Sequence, residues 1–468
     1  MASRIVILSG TGMGHLIPLV EFSGRLVRLG HGLSVTLVTI GPPSAAQKAI
    51  LDTLPDSITA VSLPPVSLDD LPGDVRPQVA TFLTVSRCLP SLRRVLQELT
   101  SDDGDGSKTG RLCGLVVDLF GTDAFDVAEE FGVPCYMFFP SSSMSLSLSF
   151  HLPELHVSMP CEYKDMVNPV SLPGCIPIYG SDLPDPFQDR TKDAYKWVLH
   201  HAPRYRRAKG ILLNSFEDLE SSSISSLTDT MSKPPVYPIG PLVRKGERAS
   251  SDDPTGCLKW LDQQPRGSVL YICFGSIGTL GIDQLTELAA GLEMSGQRFL
   301  WVVKVPNPKG FVKRTGERGL IVLSWAPQTQ VLGHASTGGF MSHCGWNSTL
   351  ESVVNGVPLI AWPLYAEQKM NAVMLVGDAK IAIRPTVGED GVVRREEVSR
   401  VVRALMEGEE GMGVRGRVKD LQEGAKKALS EGGSSCKALS EVALKLRQNN
   451  TNNNNNSVVK GGVGDEMC

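Results

Sequence analysis

The chain has 468 residues with 46 basic and 50 acidic side chains, which gives a formal net charge of -4. This length predicts two or three domains with sizeable cores, and the balanced charge argues against a nucleic acid as partner. No apolar run approaches the roughly 18 residues of a membrane span, and the N-terminal apolar run is too short for a signal peptide. The ten cysteines show no CxxC spacing, which is typical of reduced thiols, so we expect a cytoplasmic protein.

Strands and helices alternate along the first half of the chain. Apolar runs predict strands at Ile5–Leu8, Leu33–Ile40, Leu115–Val117, Tyr136–Phe139 and Ile211–Asn214. Helical patterns lie between them, for example at Leu16–Leu29 and Phe125–Phe131. This alternation predicts a parallel β-sheet covered by helices on both faces.

A glycine-rich loop, SGTGMGH from Ser9 to His15, follows the first predicted strand and opens a helix. A dinucleotide-binding loop would need the spacing GxGxxG and an acidic residue at the end of the second strand. Here the glycines stand at positions 10, 12 and 14 and the second strand ends in TIGP, so the loop does not predict NAD binding. A histidine at a helix N-terminus stays neutral and can act as a general base, although a lone histidine there more often only caps the helix.

Asp118 ends the apolar run Leu115–Val117, at the carboxyl end of a predicted strand. A carboxylate at that edge can hydrogen-bond a histidine on the neighbouring strand–helix loop and orient its ring, as in a Ser-His-Asp arrangement with an acceptor hydroxyl in place of the serine. The alternative is that Asp118 caps the helix that contains Phe125. The residues alone leave both roles open.

The second half repeats the alternation. Its predicted strands are Val269–Phe274, Phe299–Val303, Leu320–Leu323, Phe340–Ser342, Leu359–Ala361 and Ile381–Arg384. Between the halves, the segment from Pro234 to Pro265 is rich in Pro, Gly, Ser and charge, as a surface linker is. Helix Ile282–Met294 carries an apolar stripe with a period of 3.6 residues, which predicts that it faces a sheet.

The stretch from Trp325 to Gln368 carries polar residues directly after two predicted strands. Ligands of open α/β sheets bind at such carboxyl ends. After the first of these strands, Gly345 allows a tight turn and Asn347-Ser348-Thr349 can cap a helix over about Leu350–Val354. A helix N-terminus with His343 beside it predicts a phosphate site.

The same stretch offers groups for a base and for sugars. Trp325 has a flat face for a base, Glu351 can accept hydrogen bonds from a ribose diol, and Glu367 with Gln368 suits sugar hydroxyls. Together these groups describe a nucleotide-sugar pocket. The alternative is an ordinary buried βαβ unit with an incidental polar rim.

The stretch WAPQTQVLGHASTGGFMSHCGWNSTLESVVNGVPLIAWPLYAEQ resembles the signature box of plant family 1 UDP-dependent glycosyltransferases of small molecules. The segments GMGHLIPLVEF and VVDLFGTDAFDVAEEFGVP resemble those that carry the His–Asp dyad of these enzymes. A further likeness, in LPPVSLDDLP, PGCIPI, PPVYPIGPL and LKWLDQQPRGSVLYICFGS, is to the arbutin-synthase-like subgroup, which glucosylates hydroquinone, monolignols and other simple phenols. The resemblance extends from about Ile5 to Leu446.

The resemblance implies an α/β protein with two facing Rossmann-like domains, the GT-B fold, and a C-terminal helix that crosses back to the N-terminal domain. We expect an acceptor domain over residues 1–240, a linker over 241–265, a UDP-sugar domain over 266–433, the crossing helix over 434–447 and a disordered, asparagine-rich tail over 448–468.

The family also implies transfer of glucose from UDP-glucose to a phenol with inversion at the anomeric carbon, with His15 as general base and Asp118 as its partner. It requires no metal and no cofactor other than UDP-glucose as co-substrate, because a helix dipole and polar groups can offset the diphosphate charge. The donor site carried over from the family consists of Ser276, Trp325, Ala326, Gln328, His343, Gly345, Trp346, Asn347, Ser348, Glu351, Tyr365, Glu367 and Gln368.

The acceptor is less well defined by the sequence. The resemblance implies a flat phenol as acceptor, and it implies UDP-glucose as donor because Gln368 ends the box where family members that prefer galactose tend to have His. We also predict a monomeric enzyme. O-, N-, S- and C-glycosylation stay open, because one base and one electrophile serve each. Candidates for the acceptor wall are Gly14, Phe120, Met144, Phe150 and His151.

Three positions depart from the family pattern. Position 10 is glycine where the family has a hydroxyl, and Ile277 stands where a second glycine is usual, which predicts crowding of the donor phosphates or the acceptor. The loop from Lys304 to Lys309 is short, and we expect the fold to tolerate it.

Two other functions are compatible with such a fold. A nucleotide-sugar epimerase shares the plan of two Rossmann-like domains but does not explain the signature box. A non-catalytic UDP-sugar-binding protein would not need the intact pair of His15 and Asp118.

Overall fold

The structure is a computed structural model that describes residues 3–71, 77–100, 111–229, 233–244, 253, 255–304 and 311–459. The first half forms a seven-stranded parallel sheet in the order β3-β2-β1-β4-β5-β6-β7. Its strands are β1 (Ser3–Leu8), β2 (Leu33–Ile40), β3 (Ile58–Leu63), β4 (Arg111–Asp118), β5 (Cys135–Phe139), β6 (Ile211–Leu213) and β7 (Val236–Pro238). The five predicted strands are confirmed. The edge strands β3 and β7 were not predicted: β3 is half exposed, and β7 is short and ends in a proline.

The second half forms a six-stranded parallel sheet in the order β10-β9-β8-β11-β12-β13. Its strands are β8 (Val269–Cys273), β9 (Arg298–Val303), β10 (Gly319–Leu323), β11 (Thr337–Ser342), β12 (Leu359–Ala361) and β13 (Ala382–Ile383). All six predicted strands are present. The apolar runs of the inner strands are buried because helices cover both faces of the sheet, whereas the edge strand β10 is only partly buried and its Leu323 is 68% exposed.

Helices connect the strands of both sheets. They are α1 (Met13–Arg28), α2 (Ala45–Leu51), α3 (Pro77–Thr100), α4 (Ala124–Glu130), α5 (Ser143–Ser158), α6 (Asp193–Arg204), α7 (Glu217–Thr228), α8 (Cys257–Asp262), α9 (Ile282–Ser295), α10 (Phe311–Thr315), α11 (Gln328–Leu332), α12 (Trp346–Asn355), α13 (Gln368–Gly377), α14 (Arg395–Met406), α15 (Glu409–Leu429) and α16 (Ser434–Val459). In α9, Leu288 and Leu292 of the predicted stripe are buried, whereas Ile282 at the first position is 82% exposed. The prediction for Ile282 was wrong, because its side chain faces solvent at the first position of the helix.

The two halves share buried apolar side chains. One continuous cluster contains Leu148 and Phe187 from the first half and Trp346 and Met370 from the second. The segment predicted as a linker, residues 241–265, contains the helix α8, and part of it lies outside the described residues. Because buried side chains of both halves pack together, the carboxyl edges of the two sheets are held opposite each other.

Helix α16 returns to the N-terminal sheet, as the fold prediction states. Its side chains Val442, Ala443 and Leu446 are fully buried in the cluster formed by β1, β2 and α1. Leu446 packs on Gly114 in β4, where any larger residue would collide with it. The helix continues to Val459, within the tail predicted over 448–468, and residues 460–468 lie outside the described residues.

No helix in the described part of the chain is long and apolar enough to cross a membrane.

Candidate active site

A cleft of about 640 Å³ separates the carboxyl edges of the two sheets and is lined by side chains from both. Gly14 and His15 contribute from the first half, and Trp325, His343 and Glu367 from the second. A larger groove of about 950 Å³ lies between α7, β7 and α16, but it contains none of the predicted site residues. The chemistry of the protein is therefore concentrated in the cleft between the halves.

His15 and Asp118 meet at this cleft because β1 and β4 are neighbouring parallel strands. His15 lies in the first turn of α1 and Asp118 is the last residue of β4. The His15 Nδ1 atom is 3.2 Å from Asp118 Oδ2, an ion-pair distance, although the two atoms are not aligned as a hydrogen bond. In enzymes, hydrogen bonds between catalytic groups are often long or poorly aligned without substrate.

The surroundings of Asp118 hold its carboxylate towards the histidine. Asp118 is only 1% exposed, and its Oδ1 atom accepts a hydrogen bond from the backbone N–H of Phe120 at 2.9 Å. The ring of Phe120 lies 5.1 Å from the ring of His15. The alternative role of Asp118, capping the helix that contains Phe125, is not seen, because α4 begins at Ala124 and follows Asp123.

Gly10 lies directly against Asp118. A Cβ atom built on Gly10 would overlap Asp118 Oδ2, the same oxygen that faces His15, and would come within 2.9 Å of Asp118 Cγ. Position 10 thus lacks the side chain that the family has there, and the carboxylate of Asp118 occupies the place that a Cβ atom would take. Gly10 therefore determines where the carboxylate can stand relative to the histidine.

We expect Gly10→Ala to lower kcat by about 10- to 100-fold, because a displacement of the order of 1 Å in a catalytic group costs up to about 10²-fold. The KM for the nucleotide sugar should change little. The matched control is the same substitution in an Asp118→Ala background, where no carboxylate is left to displace. Steady-state kinetics of the four proteins test the idea, and an equal loss in both backgrounds would refute it.

The predicted phosphate site lies where β11 ends and α12 begins. The helix starts at Trp346, four residues earlier than predicted, and Gly345 occupies the capping position without a side-chain hydrogen bond. The predicted cap by Asn347-Ser348-Thr349 is therefore wrong: these residues are already helical. Asn347 Nδ2 instead donates to the carbonyl of Gly14 at 2.8 Å, which ties the donor site to the loop of His15.

His343 stands beside this helix N-terminus. Burial, together with the nearby Lys304 ammonium, lowers the pKa of His343 to about 4, so its ring is neutral at neutral pH. The ring packs against the backbone of Gly275, whose φ of +76° and missing side chain leave room for it: a Cβ there would lie 2.6 Å from His343 Nε2. A neutral ring can offer an N–H to an anion, and its Nδ1 atom has no hydrogen-bond partner within the described residues.

Trp325, Ala326, Gln328, Gly345, Trp346, Asn347, Ser348 and Ser276 all line the cleft. The Trp325 ring is 62% exposed and free to stack on a planar base. Glu351 lies behind the wall, where its Oε2 atom accepts a hydrogen bond from Gln328 Nε2 at 2.8 Å. The same amide group donates to Ser348 Oγ at 3.0 Å, so Gln328 connects the predicted ribose and phosphate ends.

The sugar end of the box differs in part from the prediction. Glu367 lines the cleft, and burial raises the pKa of its carboxyl. Gln368 and Tyr365 do not line it. Gln368 is 3% exposed, and its Oε1 atom accepts hydrogen bonds from the N–H groups of Leu364 and Tyr365, at 2.9 and 3.0 Å. The carbonyl of Gln368 is thus held by its own loop, and the contact of Gln368 with the sugar stays a prediction.

The acceptor wall was predicted only in part. Gly14 and Phe120 line the cleft, whereas Met144, Phe150 and His151 do not. Met144 and Phe150 are buried in apolar clusters, and His151 Nδ1 pairs with the carbonyl of Ser147. These residues point away because α5 turns a different face to the cleft, formed by Ser145, Leu148 and Ser149.

Apolar side chains that were not singled out complete this wall. They are Phe82, Phe139, Phe187, Val198 and Tyr205. The ring of Phe82 meets that of Phe120 edge to face, with centroids 4.7 Å apart. Nothing in the sequence distinguished them, because an apolar position of a helix looks the same whether it faces a core or a cavity.

The second departure from the family pattern, at position 277, lies away from the cleft. Ile277 is 70% exposed and does not line the cavity, so the predicted crowding is wrong. Lys304 directly follows β9, and the rest of the short loop, residues 305–309, lies outside the described residues.

Asp123, His200 and His201 are the one group with metal-ligand spacing in the part of the chain that the structure describes. Asp123 Oδ1 lies 2.8 Å from His200 Nε2 and 3.3 Å from Arg204 Nε. The carboxylate thus already has a cationic partner, and none of the three residues lines the cleft. We assign this group a structural role between α4 and α6.

A His–Asp pair that faces a predicted phosphate, base and sugar site across the cleft of two parallel α/β sheets defines a glycosyltransferase that uses a nucleotide sugar. Comparison with known proteins agrees. Residues 216–389 match the family described as UDP-glucoronosyl and UDP-glucosyl transferase. The chain belongs to this family of UDP-glycosyltransferases.

Two relatives are similar over nearly their whole length. UDP-glycosyltransferase 72B1 of Arabidopsis thaliana is 54% identical, with 94% of this chain and 96% of that protein covered. Hydroquinone glucosyltransferase of Rauvolfia serpentina is also 54% identical, with 94% and 97% covered. The predicted enzyme class and the plant phenol glucosyltransferase subgroup are confirmed.

Solved structures show the same fold. A UDP-glucosyltransferase from Polygonum tinctorium, described as capable of glucosylating indoxyl and complexed with 3,4-dichloroaniline, has a TM-score of 0.89 and 49% identity, with 95% of this chain and 99% of that chain covered. UGT2 of Phytolacca americana, complexed with UDP-2fluoro-glucose and pterostilbene, gives the same four values. The predicted GT-B fold is confirmed.

Proposed function

We propose that the protein transfers glucose from UDP-glucose to the hydroxyl of a small phenol, with inversion at the anomeric carbon. The observation that carries this proposal is the position of His15, which touches Asp118 on one side and lines the cleft opposite the donor box on the other. Because its Nδ1 atom faces the carboxylate, the Nε2 atom is left to take a proton from an acceptor.

In the proposed reaction, the phenol O–H gives its proton to His15 Nε2 and the oxygen attacks C1 of glucose from the face opposite the diphosphate. The bond from C1 to the diphosphate oxygen breaks, and UDP leaves with the electron pair. Asp118 stabilises the imidazolium that forms. One displacement of this kind inverts the configuration at C1.

The negative charge that develops on the leaving UDP must be stabilised by groups of the donor site. The first turn of α12 presents backbone N–H groups and a positive dipole end, and the neutral ring of His343 adds a donor. Ser276 and Ser348 line the same part of the cleft. We expect these groups to stabilise the leaving diphosphate without a metal ion.

The acceptor pocket favours a flat aromatic molecule. Phe82, Phe120 and Phe187 line it, and the imidazole ring of His15 lies beside Phe120. Relatives agree, since one is named for hydroquinone and another is bound to pterostilbene. We further propose a monomeric cytoplasmic enzyme, consistent with the nine described cysteines, all of which are free thiols.

The test is an assay of the purified chain with UDP-glucose or UDP-galactose and a panel of hydroquinone, coniferyl alcohol and substituted phenols and anilines. We expect UDP release and a β-glucoside that depend on a phenol and on UDP-glucose, unchanged by EDTA. NMR of the product gives the anomeric configuration and shows whether oxygen, nitrogen or carbon was glucosylated.

The same assay separates the other functions. UDP-galactose formed from UDP-glucose without UDP release would indicate an epimerase. Binding of UDP-glucose with neither product would indicate a non-catalytic protein. A requirement for a divalent cation would refute the metal-free mechanism.

A further inference from the structure

The strongest unassigned feature of the cleft is a polar contact between Asp185 of the first half and Ala366 of the donor box. Asp185 Oδ2 accepts a hydrogen bond from the backbone N–H of Ala366 at 2.8 Å, and the Asp185 N–H donates to the Ala366 carbonyl at 2.9 Å. One residue of the acceptor half thus satisfies both backbone groups of one residue of the donor half. We call this pair of hydrogen bonds the Asp185 clasp.

Ala366 has a backbone conformation that needs support. Its φ is +57°, in the left-handed region that residues with a side chain rarely adopt. Such conformations persist where the surroundings determine them, often at functional sites. Within the donor half, Gln368 holds the N–H groups of Leu364 and Tyr365, and the clasp holds the next residue of the loop.

The residue after Ala366 is Glu367, which lines the cleft at the predicted sugar end. A left-handed residue sets the direction of the chain that follows it, so the conformation of Ala366 determines where the Glu367 carboxylate points. The Asp185 carboxylate is also close enough to Glu367 to add to the rise in its pKa, which is caused mainly by burial.

The segment that carries Asp185 also forms part of the acceptor wall. Pro184, Pro186 and Phe187 line the cleft, and a short 3-10 helix begins at Asp185 itself. Next to the clasp, Arg384 of the donor half pairs with Asp182 at 2.8 Å. The segment is therefore fixed against the donor half while its side chains face the acceptor.

We propose that Asp185 is a positioning residue for recognition of the donor sugar: it holds Ala366 so that Glu367 meets the sugar hydroxyls when the two halves are closed. This proposal rests on the proposed glucosyl transfer and deepens it. It predicts that the acceptor half contributes to recognition of the sugar without contacting the sugar itself.

The test compares Asp185→Ala with Asp185→Asn, which keeps an oxygen acceptor in the same place. We expect Asp185→Ala to reduce kcat/KM for UDP-glucose by about 10- to 100-fold, as misplacement of a binding group by the order of 1 Å does. The Kd for UDP should change less than about two-fold, because UDP lacks the sugar, and Asp185→Asn should stay within about five-fold of wild type. Arg384→Met, which breaks the neighbouring contact between the halves, is the control and should leave KM for UDP-glucose nearly unchanged.

Coupling to Glu367 separates positioning from a general structural role. In a Glu367→Ala background, Asp185→Ala should lower kcat/KM for UDP-glucose little further, because the carboxylate that Asp185 positions is absent. Equal weakening of UDP and UDP-glucose, or an unchanged loss in the Glu367→Ala background, would overturn the proposal. Thermal unfolding of each variant checks that it is folded.

Calorimetry keeps this test independent of turnover. The difference in Kd between UDP-glucose and UDP is measured for wild type and for Asp185→Ala without any acceptor. If the wild-type protein formed no glucoside, the proposed function would fail, yet a loss of the preference for UDP-glucose in Asp185→Ala would still support the clasp. If the preference were the same in both proteins, the clasp proposal would fail even in an active enzyme.

Discussion

Replacing His15 by alanine is expected to lower kcat for glucosylation of a weakly acidic phenol by about 10² to 10⁴-fold, the usual contribution of a general base. UDP-glucose binding should stay nearly intact, because most side chains of the donor site come from the other half of the protein. Steady-state kinetics give kcat, and calorimetry with UDP-glucose gives Kd.

A graded series of substituted phenols makes this test specific. Phenols of low pKa are already partly ionised at neutral pH and depend less on a general base. The fall in kcat caused by His15→Ala should therefore be smaller for them. His151→Ala is the matched control, since this histidine of α5 does not line the cleft, and it should retain wild-type activity. Equal losses for strongly and weakly acidic phenols would remove His15 from the role of base.

Ending the chain at Glu431, before helix α16, is expected to make the protein insoluble or to lower its melting temperature by more than about 10 °C. The helix contributes Leu439, Val442, Ala443 and Leu446 to the core of the first half, and the last three are fully buried. Its loss would expose an apolar surface on the sheet that carries His15 and Asp118. Expression yield, thermal unfolding and turnover measure the effect.

Two milder variants define which part of the helix matters. Leu446→Ala should lower the free energy of unfolding by about 2–5 kcal/mol, the range for a buried leucine, whereas Leu444→Ala, at a position that is 44% exposed, should cost much less. A chain ending at Arg447 should keep its stability and activity, because all four of these core side chains are retained. A stable and fully active fragment ending at Glu431 would show that the helix is dispensable.

The positions of the candidate site residues along the chain were predictable from the sequence. Alternating strands and helices imply parallel sheets, and in such sheets polar residues after strands gather at one edge. This placed the loop that leads to His15, Asp118 and the donor box at the carboxyl ends of strands, because the loop begins directly after one apolar run, Asp118 ends another and His343 follows a third. The family resemblance then selected the dyad over a helix cap for Asp118, and the structure brings Asp118 to His15.

The partners of these groups were decided only by the tertiary structure. Contacts between residues far apart in the chain, such as Asn347 with Gly14 and Asp185 with Ala366, leave no periodic pattern in the sequence. Gln368 was assigned to the sugar because amides suit hydroxyls, yet the fold uses its carbonyl to hold its own loop.

The acceptor wall shows the same limit for apolar residues. Met144 and Phe150 were expected in the cleft and are core, while Phe82 and Phe187 were not singled out and line it. Hydrophobicity determines that such side chains leave water, whereas the packing of one element on another determines whether they meet a neighbour or a cavity. The sequence alone thus determined the chemistry available at the sheet edges, and the packing of the two halves decided the shape of the space in which that chemistry takes place.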